Sequence, residues 1–430
     1  MADLGRRDLL LGAAAASMGC AAQPAGPRTP QGRPTTILLR SSWQTENIGD
    51  IAHTPGLLAL IDQHLPGTNV ILWPEAVDHG VAEMLHANFS RLQIIHGTLD
   101  AEGKPLDATL SQAFAEADLM IHGSGSGLPG FHQVQAWKKA TRKPFGFFGI
   151  SLWDITKGMQ QLLEGADFVL CRDSLSVANV RKALPNASGV AFAPDAAFGM
   201  RARDDVRAAK FLSDHKLKSK NFLCVVPRLR QTPYEDIRRT EWSEAQLQAR
   251  LDENDRFIEA DHEKLRVVIE TWVRETGQQV LLCPEMTYQL RLLRPWLYDR
   301  LPADVQKSVV VRRTFWFPDE AASTYAHASA VVSVEMHSPI LALMAGTPAF
   351  YIRQPSDTVK GQMWRDIGLA PWTFEIDSVN AQSLAEAVVQ AGTRLTESQR
   401  LVAAATAFVK EQQQQAMSHV ARGLRERRGL

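Results

Sequence analysis

The chain is poor in cysteine, carries no excess of either charge, and has no hydrophobic run long enough to span a bilayer. It holds four cysteines in 430 residues. Three of them, Cys171, Cys224 and Cys283, lie in or at the end of aliphatic runs ("DFVLC", "FLCVV", "VLLC"). An odd set so spaced excludes a disulfide framework and a zinc site, and fits small buried core residues. Lysine plus arginine and aspartate plus glutamate balance at 47 each, so nothing marks a nucleic-acid partner or a charged membrane surface. No apolar run approaches the roughly 20 residues that a transmembrane helix needs. No repeat of fixed period is present. What remains is an ordinary globular composition, 45% hydrophobic and 22% charged, at a length that suits two to three domains.

The first 34 residues stand apart. In "GRRDLLLGAAAASMGCAAQPAGPRTPQGRP" a pair of arginines, Arg6 and Arg7, precedes a short apolar stretch and then a Pro/Gly/Ala-rich tail. This is the layout of a twin-arginine export signal; the alternative is a plain flexible tail. Export places the mature protein in the periplasm or cell envelope and makes Cys20 a candidate lipid-attachment site. Without a working signal the protein stays cytoplasmic. Unpaired buried cysteines agree with a route that carries folded cargo.

From Thr35 onward short aliphatic runs alternate with helix-length amphipathic stretches: "TTILLR", "NVILWP", "ADLMIHG", "PFGFFGISL", "ADFVLCRD", "GVAFAPD". That alternation predicts βαβ units and parallel sheets. A second set opens at "NFLCVVPRLR" and continues through "QQVLLCPE", "SVVVRR", "AVVSVEM" and "PAFYIR". The expected organisation is an N-terminal α/β lobe over 35–210, a C-terminal α/β lobe over 211–378, a hinge around 201–220, and C-terminal helices over 379–430. A long helix is expected from Tyr234 to a stop at Gly277, and the C-terminal helices are expected to break at Gly and at Ser-Gln. Ligands of such folds sit in the crevice at the carboxyl ends of the strands, so chemistry is sought there.

Four strand ends carry suggestive residues. In "TENIGD", Asn47, Gly49 and Asp50 follow the first strand, and Asp50 can take a proton or cap the next helix. "MIHGSGSGLPG" is a glycine-rich loop whose backbone N–H groups, at Gly123, Gly125 and Ser126, could cradle an anion; a plain turn is the other reading. In "CRDSLS", Arg172 leaves a buried strand where it can grip a carboxylate or phosphate, or tie the turn through Asp173. In "AVVSVEMHSPILALMAG", Ser338 is the expected N-cap and Pro339 the first helical residue, so His337 sits at a helix mouth that favours anions. Lys360 follows in "SDTVKG".

Taken in order, "NIGD", "HGSGSGL", "RDSLS", "APDAAF", "EMHSPILALMAGTP" and "SDTVK" resemble the motifs of the polysaccharide pyruvyl transferase family over roughly residues 35–365. The resemblance implies two Rossmann-like lobes facing a central cleft, as in glycosyltransferases of the B type. It implies transfer of pyruvate from phosphoenolpyruvate to two hydroxyls of a glycan as a ketal, with no metal or nucleotide cofactor. Carried over by position, His337 is the general acid and Asp50 the base for the sugar hydroxyl. Arg172 and Lys360 hold the donor's phosphate and carboxylate, and Asn47, Gly123, Gly125, Ser126, Asp195 and Ser338 complete the substrate site. One position departs from the pattern: the family has arginine two residues before the histidine, and this chain has Glu335. A carboxylate there repels an anionic donor by about 1–4 kcal/mol unless it turns away or pairs with an arginine such as Arg312, Arg313 or Arg353. Two other readings compete. One is an exported carbohydrate-binding protein that keeps the cleft and has lost donor chemistry; the other is a nucleotide-sugar glycosyltransferase, for which no nucleotide motif is present.

Overall fold

The computed structural model describes residues 33–187, 189–238 and 240–425, and those from Thr35 onward pack as one compact unit. The twin-arginine stretch and Cys20 lie outside the described residues. Among the described residues no helix is long and apolar enough to cross a membrane.

The aliphatic runs become two parallel sheets. The first contains β1 (Thr36–Ser41), β2 (Asn69–Pro74), β3 (Gln93–Ile94), β4 (Leu119–His122), β5 (Gly125–Ser126), β6 (Phe145–Ser151), β7 (Phe168–Cys171) and β8 (Val190–Phe192), in the order β3-β2-β1-β4-β6-β7-β8 with β5 beside β6. The second contains β9 (Phe222–Val226), β10 (Gln279–Leu282), β11 (Val309–Val311), β12 (Ala330–Ser333), β13 (Ala349–Arg353) and β14 (Thr373–Glu375), in the order β11-β10-β9-β12-β13-β14. Helices cover both faces of a parallel sheet, so the strands read as continuous apolar runs rather than as alternation. In β1, Leu38 packs into the core on one face while Ile37 and Leu39 pack into that on the other. Strand order reverses beside β1 in the first sheet and beside β9 in the second, and such switch points open a crevice at the carboxyl ends.

Three segments differ from expectation. The long helix starts at Glu244, not Tyr234, because Ser243 and Gln246 form a reciprocal capping box; Tyr234–Asp236 is a separate 3₁₀ turn. It ends as expected at Gly277, whose φ of 66° is left-handed. The charged stretch after 201 holds the helix Asp205–Asp214. Near the C-terminus neither Ser398-Gln399 nor Gly423 breaks the helix Leu395–Arg425; the break falls at Arg394. That last helix sends Val402, Ala405 and Val409 into the core of the second sheet and Ala416, Met417 and Val420 into that of the first.

Close backbone approach sets the helix that matters most for the site. A side chain at Gly56 would lie 1.9 Å from the carbonyl oxygen of Ala196. Only glycine therefore lets the helix Ile48–His64 lie directly on the 3₁₀ turn Ala196–Gly199. Asp195 is thereby held beneath His53.

Candidate functional site

Five strand ends converge. His337 follows β12, Glu285 follows β10, Asp195 follows β8, Arg172 follows β7, and the loop after β1 starts the helix that carries Asp50 and His53. Ile48 donates its backbone N–H to the carbonyl of Glu285 at 3.0 Å, and Thr287 to that of Glu46 at 3.0 Å, which ties the β1 loop to the second sheet.

At the centre two histidines meet edge to face, with Nε2 of His53 and Nε2 of His337 3.2 Å apart. Nε2 of His53 also lies 3.2 Å from Asp195 Oδ1, and Nε2 of His337 lies 3.9 Å from Asp195 Oδ2. On its other side His337 Nδ1 faces Glu285 Oε1 at 3.2 Å. Arg172 donates from Nη1 to Asp195 at 2.5 Å, from Nε to Ser151 at 2.9 Å, and from Nη2 to Ser126 at 3.3 Å. Burial alone would lower the His337 pKa, but the hydrogen bond and charge of Glu285, with the charge of Asp195, raise it above the ordinary histidine value. Burial would raise Asp195; the charges of His53 and Arg172 outweigh it and hold this carboxyl well below the usual range. His122 shows the opposite case, a core histidine that burial pushes down to about 3. In His337, unlike His122, neighbouring carboxylates favour the charged form over the effect of burial.

A second cluster lies at the ends of β9 and β13. Arg228 donates to Asp357 at 2.5 Å and lies 3.4 Å from Glu335. Its Nε has no hydrogen-bond partner. Lys360 is 3.4 Å from Asp357. Thr358, between them, has φ 51° and ψ −137°, a strained setting for a β-branched residue. Glu335 accepts from Gln289 at 2.8 Å. Burial first, and then the charges of Glu285 and Asp357, push its pKa up to about 7 against the opposing pull of Arg228 and Lys360.

The structure therefore answers the Glu335 question differently from the sequence. Its partner is Arg228; Arg312 binds Glu320 and Arg353 binds Glu375, while Arg313 is exposed. The helix mouth also changes. The helix begins at His337, and Ser338 is not its cap. The anion that fills this mouth is the protein's own Glu285, which accepts from the Ser338 N–H at 2.5 Å and the His337 N–H at 3.4 Å. The Ser338 hydroxyl is buried and accepts from Tyr325 at 3.1 Å.

The glycine-rich loop does not present a cradle. Gly123 N–H donates to Arg40, Gly127 to Ser151, and Gly130 to the ring of His122, while Gly125 joins the ladder beside Ile150. Those donors are spent on packing; Ser126 alone of this loop turns toward Arg172. Asn47 is likewise a cap, its Oδ1 accepting from Gly49 at 2.6 Å. Asp50 is partly exposed, accepts from Gln44 at 2.5 Å, and lies 3.8 Å from His53 Nδ1. Arg172 and Asp195 are locked to each other, so they brace the histidines from below. Lys360, Arg228 and Asp50 remain at the crevice.

His53, Glu285 and Arg228 were not singled out from the sequence. Each had a readable signal: His53 lies one helical turn after Asp50 in "NIGDIAH", and Glu285 and Arg228 directly follow apolar strands in "LLCPE" and "VVPR".

A model of the polysaccharide pyruvyl transferase family matches residues 47–354. That is more than half of the chain. The chain belongs to the polysaccharide pyruvyl transferase family. No curated protein sequence matches it. Among solved structures, a glycosyltransferase from Rickettsia africae has a TM-score of 0.56 at 10% identity, covering 91% of this chain and 99% of that one. Anabaena HepE in complex with UDP has a TM-score of 0.55 at 12% identity, covering 91% and 100%. The S. aureus MnaA–UDP structure has a TM-score of 0.54 at 11% identity, covering 86% and 90%. These likenesses show the fold: two lobes of the glycosyltransferase-B kind around a crevice.

Among the described residues one group has a spacing that could take a metal ion: His53, Asp195 and His337 offer atoms within 4.8 Å of one another. The His53–His337 hydrogen bond and the ion pairs of both rings with Asp195 accompany the same spacing.

Proposed function

We propose that this family member transfers pyruvate from phosphoenolpyruvate to two hydroxyls of a glycan, forming a ketal. The observation that carries this reading is His337, buried at the crevice between Glu285 and Asp195, two carboxylates that raise its pKa. A general acid for an enol carbon must hold its proton near neutrality, and a raised pKa favours that. Arg228 and Lys360 are the cations for the donor's carboxylate and phosphate. Arg228 lies beside position 335, with its Nε facing Glu335 at 3.4 Å, and supplies the cation there.

In the reaction His337 gives its proton to the methylene carbon of the donor, and C2 becomes an oxocarbenium-like centre. One sugar hydroxyl attacks C2 and gives its proton to Asp50. The C–O bond to phosphate then breaks, phosphate leaving with the electron pair, and the second hydroxyl closes the ketal and passes its proton to the phosphate. Arg172, Ser126 and Asp195 position the histidine pair.

The test is release of inorganic phosphate together with ketal formation on a glycan acceptor, with His337→Ala as control. Phosphate release that persists in that variant refutes the assignment. Glu335 favours a second reading, an exported glycan-binding protein without donor chemistry. Calorimetry that shows glycan binding and no phosphoenolpyruvate binding would select it.

Location belongs to the same proposal. The Arg6-Arg7 pair and the apolar stretch behind it support export, and Cys20 is the lipid-attachment candidate. Fractionation of the chain with and without Arg6-Arg7, and the mass of the mature N-terminus, test both. A cytoplasmic, unprocessed protein removes export from the reading and places the enzyme beside its donor.

A further inference from the structure

A large cavity lies away from the His53–His337 pair. It is a groove of about 1130 Å³ in the first lobe, beginning at Arg40 and Trp73, at the carboxyl ends of β1 and β2. One wall is the loop 96–103 and the other the helix Phe131–Thr141. Both His132 at the start of this helix and Arg142 just past its end line the groove. It therefore runs the length of the helix, about 15 Å at 1.5 Å per residue.

Its floor is built around a buried guanidinium. Arg40 is 2% exposed and lies between the rings of Trp43 and Trp73, 5.3 and 5.2 Å from their centroids. It bonds the Trp73 carbonyl and Glu75, yet its buried Nε has no hydrogen-bond partner. Trp73 is fixed by its own bond to the Gly97 carbonyl at 3.0 Å. Exposed hydrogen-bonding side chains along the walls include His132 and Gln135 on the helix and His96 and Glu102 on the loop.

The shape and chemistry narrow the occupant. The volume exceeds the roughly 300–1,000 Å³ of common small-molecule pockets. Cations and carboxylates nearly balance around it, four to three, so it lacks the single-sign field that a nucleic acid or polyphosphate selects. Mixed donors and acceptors spread along an elongated groove suit a chain of hydroxyls. A chain of contacts links the floor of the groove to the histidine site: Trp43, beside Arg40, donates to the Ser124 carbonyl at 2.7 Å, and two residues on Ser126 accepts from Arg172.

We propose that this groove holds a linear oligosaccharide, the part of the acceptor chain beyond the unit that receives the pyruvyl group. The identity of the chain as an acceptor rests on the function proposed above; the groove's affinity for oligosaccharide does not.

The test uses the mature full chain and a set of linear hexasaccharides, neutral gluco- and manno-configured and one uronate, followed by calorimetry and saturation-transfer NMR. His132→Ala/Gln135→Ala removes two exposed wall groups and is checked for an unchanged melting temperature. The expected result is binding of at least one hexasaccharide, weakened at least tenfold in the double variant, with phosphate release toward a monosaccharide acceptor unchanged. Absence of binding by every hexasaccharide, or binding that the double variant leaves intact, overturns the proposal. Groove-dependent binding without any phosphate release from phosphoenolpyruvate keeps the groove and removes the pyruvyl reading. Phosphate release without groove-dependent binding does the reverse.

Discussion

Gly49→Ala sets two physical effects against each other at one atom. Gly49 is the second residue of the helix Ile48–His64, and replacing glycine by alanine in a helix ordinarily gains up to about 1 kcal/mol. Here the new methyl would lie 2.0 Å from Nδ1 and 2.1 Å from Cγ of His337. A normal contact is near 3.5–4 Å, so the imidazole must shift by about 1.5 Å or the helix must lift. Overpacking of this kind costs about 1–3 kcal/mol, and losing the hydrogen bond to Glu285 adds about 1.5–3 kcal/mol because a charged partner is involved. The net expectation is destabilisation by about 1.5–5 kcal/mol. Transfer should fall about 100-fold or more, since a displacement of 1 Å suffices for that. Urea unfolding and phosphate release read the two numbers. Combining it with His337→Gly removes the obstruction, and a double-mutant cycle should return a coupling of about 1–3 kcal/mol. A Gly49→Ala protein that is more stable than wild type and fully active would refute the packing of the first lobe's helix against His337.

Other outcomes follow from the same geometry. Because Glu285 raises the pKa of His337, transfer should decline only above the ordinary histidine range, and Glu285→Gln should move that alkaline decline to lower pH in a rate–pH profile. Glu335 is raised to about 7, so its protonated form favours folding: its stabilising contribution is complete below the unfolded carboxyl value and is lost as pH rises through about 7. Glu335→Gln should therefore flatten the loss of stability over that window, where one carboxyl contributes at most about 1.4 kcal/mol per pH unit; equal slopes in urea titrations would count against its burial. Arg172→Ala should destabilise the fold, because it breaks a buried ion pair with Asp195 and costs about 3–5 kcal/mol, seen as a lower unfolding midpoint.

The alternation of aliphatic runs and amphipathic stretches was enough to read two parallel sheets, since strands buried on both faces leave unbroken apolar runs. It could not show how His53 and Asp195 meet, because that contact depends on Gly56 letting a helix lie on a turn 140 residues away. His337 was legible from its place between a strand and a helix. Its setting was not: the helix mouth that looked open to a ligand is filled by Glu285 from another strand. The glycine-rich loop misled for a related reason, since glycine in a loop can serve close packing as readily as anion binding, and hydrogen-bond partners such as Arg40 and Ser151 are distant in sequence. Glu335 was marked as a departure from the family pattern, and the arginine it meets comes from the end of β9.

The last helix closes the hydrophobic interior of both lobes with a single rod, Val402 and Val409 at one end and Met417 and Val420 at the other. Neither lobe can be finished during synthesis until that rod has emerged from the ribosome, although the first strand was made nearly 400 residues earlier. Folding should therefore be a late, all-or-none event, visible as one calorimetric transition rather than two. Substrate exchange, for the same reason, is expected to rely on local loop movements rather than on a wide swing of one lobe from the other.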